Sequence, residues 1–310
     1  MRKIVWVVVL LFAVNSFSQN KQILYNFTFI PQSLLTNPGS DFKYDWYIGV
    51  PLLSGISANV GSSGFSAYDL FASNGVDFNV KLQNVVFSAS ANDKLAINEQ
   101  VEILNGGFRI AGEQNDTYVS FGVYQEFDAL SYVPKDLAIL ALKGNDEYVG
   151  KVFNLGDLSA KAEMLSVFHL GFHKNINEKF ILGLRGKIYS SIYNATSTNN
   201  SGYIYTISSN TGVYEQKIYS QLQINTSGIA KYDDKGYEVD VVKDITKRAL
   251  LGGNLGLGFD AGFTYYPEKN VQITASIIDV GFIRHTKEVE SLSLRGVYDY
   301  KGAVPKFTSS

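Results

Sequence analysis

Cysteine is absent from the 310 residues. That excludes a disulfide framework, thiolate metal centres, a cysteine nucleophile and the lipid-bearing cysteine of a lipoprotein. Proline stands at 6, and no Pro-rich or Ser-rich linker divides the chain, which reads as one large domain. Charged residues are sparse at 18%, against roughly 25% in soluble domains. The formal net charge of −2 offers no polyanion-binding surface, so no nucleic-acid partner is expected. Beyond Val14, no stretch approaches the roughly 20 consecutive apolar residues that a membrane-spanning helix needs. What is abundant is Tyr and Phe, 20 of each, with 28 Gly and only 2 Trp. Tyr and Phe suit a pleated, half-buried surface, and Tyr also suits a membrane–water boundary, where the ring is buried and the hydroxyl stays wet.

The N-terminus has the layout of an export leader. Arg2 and Lys3 form a basic start, Ile4 to Val14 is an unbroken apolar run, and Ser16 and Ser18 are small residues at the −3 and −1 positions of a cleavage site before Gln19. The mature chain is then either soluble or crosses a membrane with strands.

After residue 44 the apolar residues fall at every second position. Leu255, Leu257, Phe259, Ala261 and Phe263 face away from Asn254, Gly256, Gly258, Asp260 and Gly262. Val271, Ile273, Ala275 and Ile277 oppose Gln272, Thr274 and Ser276; Phe180, Leu182, Leu184 and Ile188 oppose Lys179, Arg185, Lys187 and Tyr189. Met164, Phe168, Leu170 and Phe172 oppose Lys161, Glu163, His169 and His173, and Val119, Phe121, Val123 and Phe127 oppose Ser120, Gly122, Tyr124 and Glu126. Trp46 to Leu52 and Ile56 to Val60 mark two further strands. Period two excludes an amphipathic helix. Several segments outrun the five or six residues usual in soluble sheets and fit the about 9–11 of a tilted transmembrane strand.

Turn signals occur at Asn175–Glu178, Thr198–Gly202, Asp233–Gly236 and Pro267–Asn270. The short ones read as periplasmic turns and the long polar ones as external loops. Asp77 to Phe87 and Pro134 to Lys143 suit short helices at a rim. The division expected is a leader over 1–18, an irregular or plug-like segment over 19–43 with its turn at Asn37, Pro38 and Gly39, and a barrel domain over 44–310.

Ile30–Gly39, Val50–Asn59, Gly256–Gly262 and Ser276–Ile283 resemble an uncharacterised family of Bacteroidetes-type outer-membrane barrels, and the likeness covers nearly the whole mature chain. That family is distantly similar to the long-chain fatty-acid transporters and to the barrel shuttle protein of the type IX secretion system. The resemblance implies an all-β, antiparallel transmembrane barrel of about 12–14 strands, with an Asn-Pro near the mature N-terminus, here Asn37-Pro38. It brings no catalytic residues. Ten to twelve strands are countable, and Pro305 is poorly placed for a closing strand, which points to a truncated copy.

Candidate sites follow from the polar faces. Lys or Arg on a lipid-facing position would cost about 2–4 kcal/mol, so Glu126, Lys161, Glu163, Arg185, Lys187 and Asp260 are expected in the lumen, bracing it across strands or lining a transport path. His169 and His173 stand roughly 13 Å apart on a strand, too far to share a metal ion, and join the lumen set. No Gly-x-Ser-x-Gly elbow supports an acyl hydrolase, and the Gly-x-Gly at Gly256 lacks the helix a dinucleotide needs. Glycines there permit tight curvature instead. The expectation is a non-enzymatic outer-membrane barrel without cofactor, metal or catalytic residues. Its partners would be outer-membrane lipid, envelope or secretion-machine proteins, and a small or hydrophobic molecule if it transports. The alternative is a secreted soluble β-sandwich for binding or adhesion, which would bury the apolar faces that a barrel shows to lipid.

Overall fold

A computed structural model describes residues 24–25, 27–110, 117–208, 214–229 and 241–300. The expected leader and the residues around Pro305 and Asp233–Gly236 lie outside them. The described residues form one antiparallel sheet of twelve strands: β1 (Trp46–Ile48), β2 (Ile56–Ser62), β3 (Lys94–Ile110), β4 (Thr117–Tyr132), β5 (Val152–Asn154), β6 (Ala160–Asn177), β7 (Phe180–Ser197), β8 (Ser201–Ser208), β9 (Tyr214–Gly228), β10 (Asn254–Glu268), β11 (Val271–Ile283) and β12 (Val289–Tyr300). The sheet curls like half a barrel but stays open, its edges 51 Å apart.

Pairing collapses the twelve segments into seven rows. β1 and β2 both pair with β3 and lie end to end; β4 follows; β5 and β6 share a row, as do β7 and β8, β9 and β10, and β11 and β12. Strands expected as separate neighbours are therefore halves of longer, interrupted ones.

The interruptions have local causes. The strand expected over Trp46–Leu52 stops at Ile48, because Pro51 has no N–H to give the ladder and Leu52 adopts φ 63°. At Thr198–Gly202 the chain does not turn back; β8 continues the line of β7. The side chain of Asn200 stands in for the missing ladder bonds, accepting from the Gln223 N–H at 2.9 Å and donating to the Leu158 carbonyl at 2.7 Å. β9 leaves its row at Gly228 and the row resumes with β10 at Asn254. On the way back the chain passes a helix, Val241–Lys247, and a π-turn, Arg248–Gly252. Asn254 Oδ1 accepts from the N–H groups of Thr286 and Lys287, and its Nδ2 donates to the Lys287 carbonyl, which satisfies the backbone where β11 gives way to β12.

Two short connections lie at one end: β6–β7 turns at Lys179, where Asn177 Oδ1 accepts from the Lys179 N–H, and β10–β11 turns after Glu268. Long connections gather at the other end. They carry α-helices at Ala67–Phe71, Phe78–Ser88 and Lys135–Lys143. Asp77 caps the second of these by accepting from the Asn79 N–H, and Pro134 precedes the third. These helices pack Val86 and Ile139 with Phe153 into a small apolar cluster capping that end.

Candidate functional site

The inner face of the sheet holds a segment that makes no strand. Residues Ser33–Thr36 form one helical turn, followed by Asn37, Pro38 and Gly39, all buried. Leu35 packs with Tyr124, Val167 and Tyr189, and Leu34 with Phe42 and Tyr118, giving two apolar clusters inside an otherwise polar interior. The segment is also bonded to the sheet by its backbone. Thr264 Oγ1 donates to the Gly39 carbonyl at 2.7 Å and Ser276 Oγ to the Thr36 carbonyl at 2.8 Å. Asn37 Nδ2 donates to the Phe263 carbonyl at 3.4 Å, and the Arg185 guanidinium donates to the Leu34 carbonyl.

Glycines make this approach feasible. An alanine Cβ at Gly183 would lie 1.9 Å from the Pro38 carbonyl oxygen, and one at Gly262 would lie 2.1 Å from Asn37 Oδ1. At Gly258 the same position is filled by the Tyr189 ring, 2.3 Å from its hydroxyl. The inward glycines read from sequence as aids to curvature thus serve to admit the N-terminal segment and a tyrosine ring.

Beneath that segment lies a four-charge cluster. Asp260 Oδ2 receives Arg185 Nη1 at 3.2 Å and Lys187 Nζ at 2.9 Å; Lys187 Nζ also meets Asp279 Oδ1 at 2.5 Å. Asp260 is wholly buried, and its second oxygen accepts from the Asp279 N–H at 2.8 Å. That last bond holds the bulge where the β10–β11 register shifts between Phe259 and Ala261, and where Asp279 takes φ 58°. Two cations and two carboxylates neutralise one another, so each buried charge is paired and hydrogen-bonded. Of the lumen set, the structure brings Arg185, Lys187 and Asp260 together and adds Asp279.

The others disperse. His169 lies beside Tyr124 and His173 beside Tyr118, both buried, and no metal-binding cluster occurs among the described residues. Glu126 is half-buried on β4; Lys161 is exposed and, with Glu163, Asp128 and Asn194, borders an interior cavity of about 670 Å³ towards the long-loop end. Glu163 accepts from Ser191 Oγ at 3.3 Å and lies 3.5 Å from His285 Nε2, while His285 Nδ1 is 2.9 Å from Ser227 Oγ. A serine, an imidazole and a carboxylate therefore stand in line. Catalysis needs more: Ser227 is buried at 2% exposure, and the neighbouring N–H groups that would form an oxyanion hole are spent, Gly228 on the Glu288 carbonyl and Ile229 on that of Ile192. The arrangement ties β9 to the β11–β12 break.

Sequence reasoning missed the polar face of β3. Asn98, Gln100, Glu102 and Asn105 are all buried there. Their signal was present, since Leu95, Ile97 and Val101 alternate with Asn98, Gln100 and Glu102, but the bulge between Glu102 and Leu104 breaks the period. Glu102 Oε2 accepts from Asn105 Nδ2 at 3.0 Å and from Gln32 Nε2 at 3.3 Å, and Tyr47 donates to Asn105 Oδ1 at 2.8 Å.

Fold and site together define a curled antiparallel β-sheet with a polar interior into which its own N-terminal segment is docked. The chain belongs to the family of unknown function DUF5723, which it matches over residues 38–308. No curated protein and no solved structure matches it.

Proposed function

We propose that this chain is the membrane-embedded part of an outer-membrane β-barrel, exported through a leader cleaved after Ser18, whose interior is braced and occupied by its own N-terminal segment. The observation that carries this reading is the inverted polarity of the sheet. Leu170, Phe172, Leu184, Leu257 and Phe259 are about half exposed on the outer face, while Arg185, Lys187, Asp260, His169, His173 and Glu102 are buried on the inner one. A water-soluble protein buries its apolar face; hydrocarbon reverses the preference. Strand length supports the same reading, for β3, β4, β6 and β7 have 17, 16, 18 and 18 residues, ample for the about 9–11 of a tilted crossing.

A neutral, fully paired charge cluster under a docked segment favours an envelope scaffold, or a carrier of small or hydrophobic molecules that must move this segment, over an open pore. It assigns the interior no catalytic chemistry. The resemblance to fatty-acid transporters and the secretion shuttle barrel forms part of this proposal. One observation favours a second reading: the sheet is open. In that case the chain is a secreted binding or adhesion module and the apolar face is covered by protein.

Fractionation separates the two. The membrane reading expects detergent-dependent extraction, heat-modifiable migration on gels, and an unfolding cost of about 2–4 kcal/mol for Phe259→Arg in lipid. A mature chain that is soluble and monomeric without detergent, with Phe259→Arg costing no more than about 0.5 kcal/mol as at an ordinary surface position, would refute it.

A further inference from the structure

The inner face contains a second feature, separate from the Arg185–Asp260 cluster. A cavity of about 560 Å³ lies between the N-terminal segment and the β2–β3 pair, bordered by Leu24, Ile30, Leu35, Gln100 and Glu102. Glu102 is 3% exposed, yet no lysine or arginine among the described residues forms an ion pair with it. Its two amide donors, from Gln32 and Asn105, both reach Oε2. Oε1 lies against Gly55, where an added Cβ would come within 2.7 Å of it. Two residues away on the same strand face, Gln100 is 4% exposed and its Oε1 has no hydrogen-bond partner. A buried carboxylate without a cation and a buried amide oxygen without a donor are both costly. Their Cα atoms stand roughly 6.6 Å apart along the strand, and both side chains leave the same face with length enough for their oxygens to converge on one ammonium group. Of the remaining walls, Gln32, Ser54, Ser57 and Asn59 are polar, while Leu24, Ile30 and Leu35 form an apolar side that suits a short hydrocarbon body.

We propose that this cavity binds a primary organic ammonium ion, its nitrogen donating to Glu102 and Gln100 and its alkyl chain lying against Ile30 and Leu35. A metal ion is a poor alternative, since no group of three or more His, Cys, Asp or Glu ligands is present among the described residues. The inference concerns the inner face only and does not depend on whether the outer face meets lipid or protein.

The test uses the full chain purified in a neutral detergent, titrated calorimetrically with hexylammonium, with hexanol and hexyltrimethylammonium as probes lacking the charge or the N–H donors. Saturable binding of hexylammonium alone is expected, weakened at least about tenfold by Glu102→Gln. Glu99→Gln, on the opposite, exposed face of β3, leaves it unchanged. Circular dichroism and thermal unfolding of Glu102→Gln establish that its fold is intact; if it is not, Gln100→Leu, which removes the unpaired oxygen, carries the same expectation. The proposal is overturned if hexylammonium shows no saturable binding. Equal binding of hexanol, or undiminished binding by a folded Glu102→Gln or Gln100→Leu variant, overturns it as well.

Discussion

Gly183 and Gly186 lie three residues apart on β7 and face opposite ways, which makes them a matched pair for testing how the N-terminal segment is held. An alanine Cβ at Gly183 would sit 1.9 Å from the Pro38 oxygen, 2.0 Å from its carbonyl carbon and 2.4 Å from the Gly39 nitrogen; one at Gly186 meets nothing within 4 Å. The obstacle at Gly183 is backbone on both sides, so reaching an ordinary contact of about 3.4 Å requires the segment to retreat by roughly 1.5 Å. Partial accommodation of such overpacking costs about 1–3 kcal/mol. Full release forfeits three neutral hydrogen bonds at about 1 kcal/mol each and the Arg185–Leu34 bond at about 1.5–3 kcal/mol, which sets a ceiling of about 6 kcal/mol. Gly183→Ala is therefore expected to destabilise by about 1–3 kcal/mol, within that ceiling. The amides of Asn37, Gly39 and Ser40 should also exchange faster with deuterium, and denaturant unfolding of the refolded protein gives the energy. Gly186→Ala should be neutral or slightly stabilising, because glycine is a weak strand former. Equal behaviour of the two variants would refute the claim that the glycine exists to admit the segment.

Asp260→Ala removes the shared partner of Arg185 and Lys187 and the acceptor of the Asp279 N–H; breaking a buried pair in this way should cost about 3–5 kcal/mol, measured by equilibrium unfolding, and a loss below 1 kcal/mol would count against the bracing role. Asn254→Ala strips the backbone at the β11–β12 break of its substitute partners and should cost about 1–3 kcal/mol, with faster amide exchange at Thr286 and Lys287 as the local signature; unchanged exchange there would show that the side chain is dispensable. At the long-loop end, the Ser66 backbone N–H and hydroxyl hold the Asp69 carboxyl below its ordinary value of 3.8. A depressed carboxylate stabilises above its unfolded pKa and ceases to as the pH falls through the folded one, so the cap of Ala67–Phe71 should stay intact at neutral pH and loosen only below 3.8. Carboxyl NMR titration reads this directly, and a midpoint at or above 3.8 would dismiss it.

Period-two alternation was readable because each face of a strand meets one environment along its length. That held for β4, β6, β7, β10 and β11, where the sequence contrast between Phe259 and Asp260, or Leu184 and Arg185, is the contrast between outside and inside. It failed where one residue is inserted. The bulge after Glu102 shifts the parity within β3, and the one at Asp279 hides a carboxylate among apolar neighbours. Collinearity was likewise beyond local pattern. Thr198–Gly202 contains the residues of a turn, and only the cross-strand bonds of Asn200 show that the chain goes straight on. The approach of Asn37–Gly39 to Gly183 and Gly262 joins positions far apart in the chain, so the residues that make it carry no local signal beyond being small.

The row count has a consequence for how the open sheet can be completed. Neighbouring rows run antiparallel throughout, so in seven rows the first, β1 with β2, and the last, β11 with β12, run in the same direction. A second copy inserted in the same orientation would bring its first row against this last one, and the two would meet as parallel strands. Parallel pairing is the weaker ladder and is foreign to outer-membrane barrels, whose strands alternate in direction. Antiparallel closure instead requires an odd number of additional strands between the two edges. A pair of identical sheets, however well curved, is therefore the wrong complement under the membrane reading. Should the chain prove soluble, the constraint of a common orientation disappears, and a copy rotated end over end can pair antiparallel at either edge.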